Sequence, residues 1–87
     1  MTDAIIWTKP YCPYCDRAKA LLTQQGITYE ARDITQGWSM EQLLTEMPSA
    51  RTMPQIWLDG KYIAGGTAGQ LTYVGGHDEL VRSLNNI

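Results

Sequence analysis

Lys9-Pro10-Tyr11-Cys12-Pro13-Tyr14-Cys15 lies between an apolar, β-prone run, Ala4-Ile5-Ile6-Trp7-Thr8, and a stretch of helical spacing that begins at Pro13. It holds both cysteines of the chain, with two residues between them. The first amides of a helix lack intrahelical partners and carry partial positive charge, so a thiolate at Cys12 is favoured over the thiol. A Cys-x-x-Cys that opens a helix beside a strand therefore reads as a dithiol redox centre. A structural disulfide gains little here, because closing so short a loop removes little entropy from the unfolded chain. A closed zinc or iron–sulfur site needs more ligands than two thiols and His77, and would draw them from a second chain or an outside molecule.

Working outward from the motif, Ala4–Thr8 is short and apolar enough for a buried central strand, and Pro10 ends it. Ala18, Leu21 and Leu22 then fall at helical spacing, and Gly26 suits the helix C-terminus. Ile27, Tyr29 and Ala31 alternate with Thr28, Glu30 and Arg32, which predicts a second strand with one buried face. Strand, helix and strand in this order predict a parallel pair with a right-handed crossover. Cys12 then sits at the end of the sheet where such folds bind ligands.

Ser39 with Gln42 forms a capping-box pattern, and Met40, Leu43, Leu44 and Met47 follow at i, i+3, i+4 and i+7 until Pro48. The methionines of that stripe read as core. Gln55-Ile56-Trp57-Leu58 predicts a third strand, with Asp59-Gly60 as a tight hairpin turn into Lys61-Tyr62-Ile63. Asp78 or a neighbour opens a last helix carrying Leu80, Val81 and Leu84. The order βαβ, α, ββ, α predicts a small α/β sandwich, a four-stranded mixed sheet flanked by about three helices.

The chain has 87 residues, enough for one domain over 1–87 with a modest core. With 7 basic and 9 acidic residues there is no charge excess that would point to nucleic acid or an anionic membrane. The start Met1-Thr2-Asp3 carries no basic segment or long apolar run, so neither a secretory signal nor a membrane span is expected. A reducing cytoplasm is the expected location.

With these segments in place, the chain resembles the glutaredoxins of the thioredoxin-fold superfamily. Thr8-Lys9-Pro10-Tyr11-Cys12-Pro13-Tyr14-Cys15 is similar to the dithiol active site, Arg51-Thr52-Met53-Pro54-Gln55-Ile56 to the cis-proline segment, and Gly75-Gly76-His77-Asp78-Glu79-Leu80 to the glutathione-binding turn. Thioredoxins usually have Trp-Cys-Gly-Pro-Cys, which this chain lacks. The resemblance implies Cys12 as an exposed nucleophile and Cys15 as the buried resolving thiol. It implies that Tyr14 packs against glutathione while Lys9 and Arg51 meet its glycine carboxylate. Thr52 and Met53 would lie along the tripeptide, with Pro54 cis and the Met53 backbone pairing in strand fashion with the cysteinyl part. Gly76, His77 and Asp78 would receive the γ-glutamyl end at a helix N-terminus, His77 through its backbone with the imidazole exposed. Asp78 also reads as an N-cap. Trp7, Trp57 and Tyr62 read as core or sheet-face residues, and Tyr11 as a contact surface for partner proteins.

Two departures from the family pattern stand out. Met53 replaces the common valine before the proline, with little expected effect because the backbone does the pairing. The segment from Ala64 to Tyr73 separates the Asp-Gly turn from Gly75-Gly76, and Gly65-Gly66 competes as the family turn. Only Gly75-Gly76 is followed by acidic residues and a helical apolar pattern, so residues 64–73 read as a mobile hairpin insertion near the glutathione end of the groove.

The resemblance implies a monomeric glutathione-dependent thiol–disulfide oxidoreductase, with glutathione as reductant and no metal. Its partners would be disulfide-bonded or glutathionylated proteins, cytosolic reductases such as ribonucleotide reductase among them. The alternatives are a cluster-bridging member of the family, which the stiff Pro13 disfavours, and a redoxin fed by thioredoxin reductase.

Overall fold

The structure, a computed structural model, describes residues 2–85. The elements are β1 (Ala4–Thr8), α1 (Pro13–Gln24), β2 (Tyr29–Asp33), α2 (Met40–Glu46), β3 (Gln55–Asp59), a 3-10 turn (Gly60–Tyr62), β4 (Leu71–Gly75) and α3 (His77–Asn85). They form one four-stranded mixed sheet in the order β2-β1-β3-β4. β1 pairs parallel with β2 and antiparallel with β3, and β3 pairs antiparallel with β4. No helix among the described residues is long and apolar enough to cross a membrane.

Alternation along the two central strands makes two cores, one on each face of the sheet. Ala4 and Ile6 of β1, with Ile56 and Leu58 of β3, pack against Ala18 and Leu22 of α1 and Leu80 of α3. Every one of these side chains is fully buried, and each large one contributes roughly 1.5–3 kcal/mol relative to exposure. Trp7 points the other way and packs with Leu43 of α2 and with Ala50, while Trp57, Trp38 and Met53 cover them. Because Ala50 and Met53 belong to this second cluster, the loop that leads into β3 is pinned to the sheet.

Local chemistry sets the helix boundaries. Pro13 occupies the first turn of α1, where no intrahelical partner for its missing N–H is lost. Gly26, at φ 71°, makes the turn toward β2. Ser39 and Gln42 close the capping box of α2 from both sides: Ser39 Oγ accepts from the Gln42 N–H at 3.2 Å, and Gln42 Oε1 accepts from the Ser39 N–H at 2.8 Å.

Several expectations are corrected. Asp59-Gly60 does not make a hairpin turn into a strand at Lys61-Tyr62-Ile63. Asp59 Oδ1 accepts from the N–H groups of Lys61 and Gly69, both at 2.9 Å, so the chain coils into the 3-10 turn and closes a longer loop. Gly60 packs so tightly on Thr67 that a Cβ would run into the Thr67 backbone. The strand expected at 61–63 forms instead at Leu71–Gly75, so the last three residues of the 64–73 insertion are sheet. The loop does not approach the expected groove either. Asp59 pairs with Leu71, and its N–H donates to the Asp3 carbonyl at 2.8 Å, at the start of β1 and the opposite end of the sheet from Cys12. Ala31, expected on a buried face, is exposed because β2 is an edge strand. The neighbouring Arg32 instead lays its guanidinium over Trp38, at 4.2 Å, and Trp7, at 5.2 Å. Leu44 is 37% exposed on the outer side of the short α2.

The two amides that Asp59 accepts hold its carboxyl below the usual carboxylate range. A lowered folded-state pKa stabilises above the unfolded value and is lost as pH falls through the folded one. Asp59→Asn is therefore expected to speed hydrogen exchange at the Lys61 and Gly69 amides at neutral pH, and the difference from the parent chain should persist through the ordinary carboxylate range and vanish only once the pH falls below it and Asp59 is protonated.

Candidate active site

The redox motif occupies the turn between β1 and α1. Tyr11 is fully exposed at φ 57°, a left-handed conformation that a non-glycine residue adopts only when its surroundings impose it. That turn delivers Cys12 as the N-cap of α1 in extended conformation (φ −117°, ψ 98°). Cys12 and Cys15 are joined as a disulfide with Cα atoms 5.2 Å apart, and the Cys15 N–H donates to Cys12 Sγ at 3.1 Å. In the reduced protein, that N–H and the positive end of the helix favour a thiolate on Cys12.

The two sulfurs are buried unequally. Cys15 is fully enclosed beneath α1, and Cys12 is 6% exposed. The family resemblance implies an exposed Cys12. The loop before β3 covers it instead, with the Met53 carbonyl 3.8 Å from Cys12 Sγ. The Met53–Pro54 peptide is cis, as the resemblance implies.

Beside Cys12 runs an open groove of about 380 Å³. Its walls are Tyr14 from α1, Thr52, Met53 and Pro54 from the cis-proline loop, and Gly76, His77, Asp78 and Glu79 from the start of α3. Of the residues expected to hold glutathione, Tyr14, Thr52, Met53, Pro54, Gly76, His77 and Asp78 meet here, and Lys9 and Arg51 do not. Those two are exposed, make no ion pair among the described residues, and do not line the groove.

The γ-glutamyl end differs in detail from expectation. α3 begins at His77 rather than Asp78, so Asp78 is not the N-cap; it lies in the first turn, with its carboxylate 3.1 Å from His77 Nδ1. The His77 imidazole is not free in solvent. Its ring lies 5.8 Å from that of Tyr14 and joins the two walls of the groove. Glu79 supplies the capping, accepting from the Gly76 N–H at 2.9 Å and ion-pairing with Arg82 at 3.0 Å. Its side chain fills the space that a Cβ on Gly75 would need, and Gly75 has φ 114°, so both the packing and the backbone require glycine there. Glu79 was not singled out in the sequence, although the acidic pair Asp78-Glu79 after Gly-Gly in a first helical turn was a readable signal.

The arrangement suits thiol–disulfide exchange: an N-cap sulfur for attack, a resolving sulfur one helical turn on, and a groove with the cis-proline loop as one wall. Among the described residues no group of three or more His, Cys, Asp or Glu side chains is placed to hold a metal ion.

Residues 4–63 match the glutaredoxin family model. Glutaredoxin-C8 of Oryza sativa subsp. japonica is 34% identical over 88 residues, covering 95% of this chain and 63% of that protein. Glutaredoxin 3 of Escherichia coli (strain K12) is 35% identical over 65 residues, covering 75% of this chain and 78% of its own. The chain thus spans less than two thirds of the length of the rice relative. The solution structure of glutaredoxin from Brucella melitensis superposes with a TM-score of 0.64 at 34% identity, over 99% of this chain and 82% of that one. The buckwheat glutaredoxin–glutathione complex shares the fold, with a TM-score of 0.71 at 24% identity over 97% of this chain and 69% of that one.

Proposed function

The chain belongs to the glutaredoxin family, and from that premise we propose that it is a glutathione-dependent thiol–disulfide oxidoreductase acting through Cys12 and Cys15. The observation that carries this reading is the groove beside Cys12. It joins Tyr14, the Met53 backbone and the Gly76–Glu79 turn, a length of wall suited to a tripeptide in extended form. The same fold holds glutathione in the buckwheat protein.

In the proposed reaction, the Cys12 thiolate attacks the glutathione sulfur of a mixed disulfide. A Cys12–glutathione bond forms and the substrate leaves as a thiolate. A second glutathione thiolate then attacks that bond, releasing glutathione disulfide and restoring the Cys12 thiolate. One free glutathione is consumed, and it leaves joined to the glutathionyl group taken from the substrate. With a protein disulfide, Cys15 resolves the mixed disulfide between Cys12 and the substrate, and the product is the Cys12–Cys15 bond seen here. Two glutathiones then reduce it.

The groove residues hold the tripeptide in this account. The Met53 backbone pairs with its cysteinyl part, with Thr52 and the cis Pro54 shaping that wall, while Tyr14 covers its apolar side. The turn at Gly76, His77 and Asp78 receives its γ-glutamyl end. Lys9 and Arg51, which make no ion pair among the described residues, provide positive charge for the glycine carboxylate. The chain acts as a single domain and a monomer on cytosolic partners, glutathionylated proteins and reductases such as ribonucleotide reductase among them. The test is turnover of a small glutathione mixed disulfide, coupled to glutathione reductase and NADPH. NADPH consumption that saturates with substrate is expected; none at any substrate concentration would refute the proposal.

A further inference from the structure

Gln55, the first residue of β3, is 5% exposed. A buried primary amide is costly unless its polar atoms are paired, and an apolar side chain of similar volume would fill the space without that cost. Both ends of this amide are paired. Nε2 donates to the Thr52 carbonyl at 2.7 Å, and Oε1 accepts from Tyr73 Oη. Tyr73 comes from the neighbouring β4, and its ring meets Trp57 edge-on at 5.0 Å. A register irregularity between Ile56 and Trp57 aligns it: Ile56 pairs with Gly75 and Trp57 with Tyr73, leaving Val74 as the extra residue. Burial first, and Glu79 second, raise the Tyr73 phenol, so it remains a donor across the physiological range.

Thr52 and Met53 are the residues at which this network meets the groove. The peptide between them is trans, since the cis bond is the next one. A trans peptide holds its C=O and N–H antiparallel, so anchoring the Thr52 oxygen on the buried side fixes the Met53 N–H on the side away from Gln55. The Met53 carbonyl of the next peptide stands 3.8 Å from Cys12 Sγ. The orientation of this short backbone segment therefore depends on one side-chain amide, steadied by one phenol.

We propose that Gln55 and Tyr73 are positioning residues for disulfide exchange. They hold the Thr52–Met53 peptide in the orientation that receives the cysteinyl part of glutathione, Gln55 directly and Tyr73 through Gln55. This rests on the glutathione reading above. Neither side chain touches the reacting sulfurs, so their contribution lies in binding rather than in the chemical step.

The test is steady-state kinetics with a glutathione mixed disulfide for the wild type, Gln55→Leu, Tyr73→Phe and the double variant. Alongside it, the rate of iodoacetamide alkylation of reduced Cys12 is measured, a reaction that does not use the groove. Gln55→Leu is expected to raise KM about tenfold with kcat little changed, the pattern of lost ground-state binding. Tyr73→Phe keeps its ring and leaves Gln55 on Thr52, so a rise of about threefold is expected; the double variant should be no worse than Gln55→Leu, because coupled residues are not additive. Alkylation should stay within about twofold throughout, whereas general loosening around Cys12 would change it together with KM. An unchanged KM in Gln55→Leu, or KM and alkylation shifting together, overturns the positioning role while leaving the glutathione reading intact. If Gln55→Leu does not fold, Tyr73→Phe decides, because its half-exposed ring stays in place. A wild type that fails to turn over the mixed disulfide overturns both.

Discussion

Cys12→Ser is expected to abolish reduction of every disulfide substrate, while Cys15→Ser should retain reduction of glutathione mixed disulfides at a rate of the same order as the parent. The asymmetry follows from position. Cys12 is the N-cap of α1, its sulfur faces a backbone N–H and the positive end of the helix, and it lies 3.8 Å from the carbonyl of Met53, a wall of the groove. Cys15 lies one turn further on, fully buried, where no outside disulfide reaches it. A hydroxyl at position 12 is not a thiolate at neutral pH, so the loss should be on the order of a thousandfold or more, as when other nucleophiles are removed. Reduction of a glutathione mixed disulfide needs one protein sulfur, because a second glutathione resolves the intermediate. Cys15→Ser should therefore lose only the pathway that passes through the Cys12–Cys15 bond. Equal loss in both variants would reject this division of labour.

Trp7→Ala is expected to destabilise the fold by about 3–5 kcal/mol, measured by urea denaturation, the range for a large aromatic removed from a core. Trp7 is 1% exposed and fills the cluster beneath α2. Its ring meets Trp38 edge-on at 5.5 Å, and the Arg32 guanidinium lies over both rings. A loss of that size is a large share of the roughly 5–15 kcal/mol typical of whole domains. Trp7→Phe keeps an aromatic ring and should cost less. The effect should also reach the active site, because Ala50 and Met53 pack in the same cluster and the cis-proline loop is held from below by it. A destabilisation under about 1 kcal/mol would mean that the second core contributes little, contrary to the burial seen here.

Periodicity and local chemistry made the first half of the chain readable. β1, α1 and β2 follow from an apolar run, a helical stripe and an alternating stretch, and the capping box of α2 is a local pattern of two side chains and two amides. The groove was readable as well, because its residues fall in three contiguous motifs. The β3–β4 connection was not. Asp59-Gly60 carries the sequence signal of a two-residue hairpin, yet Asp59 spends its carboxylate on Gly69, ten residues away, a contact that local pattern cannot reveal. The strand signal was nonetheless present downstream: Leu71-Thr72-Tyr73-Val74 is a β-prone run whose first three residues lie inside the segment read as an insertion. The Gln55–Tyr73 bond was hidden for a related reason, since it depends on the irregular register at Val74. Ala31 and Leu44 followed correct periodic patterns but lie on an edge strand and a short helix, where solvent reaches the face expected to be buried.

The central claim is that glutathione, rather than a flavoprotein reductase acting directly, delivers electrons to the Cys12–Cys15 bond. The measurement that tests it most directly is reduction of the oxidised chain, followed by mass spectrometry of its thiol state, with glutathione in one vessel and thioredoxin reductase with NADPH in another. The account predicts reduction by glutathione and, when reduced Cys15→Ser is mixed with glutathione disulfide, attack of the Cys12 thiolate to give an adduct of one glutathione on Cys12 with release of the other glutathione. Reduction by thioredoxin reductase alone, with the disulfide unchanged by glutathione and no adduct on Cys12, would contradict it.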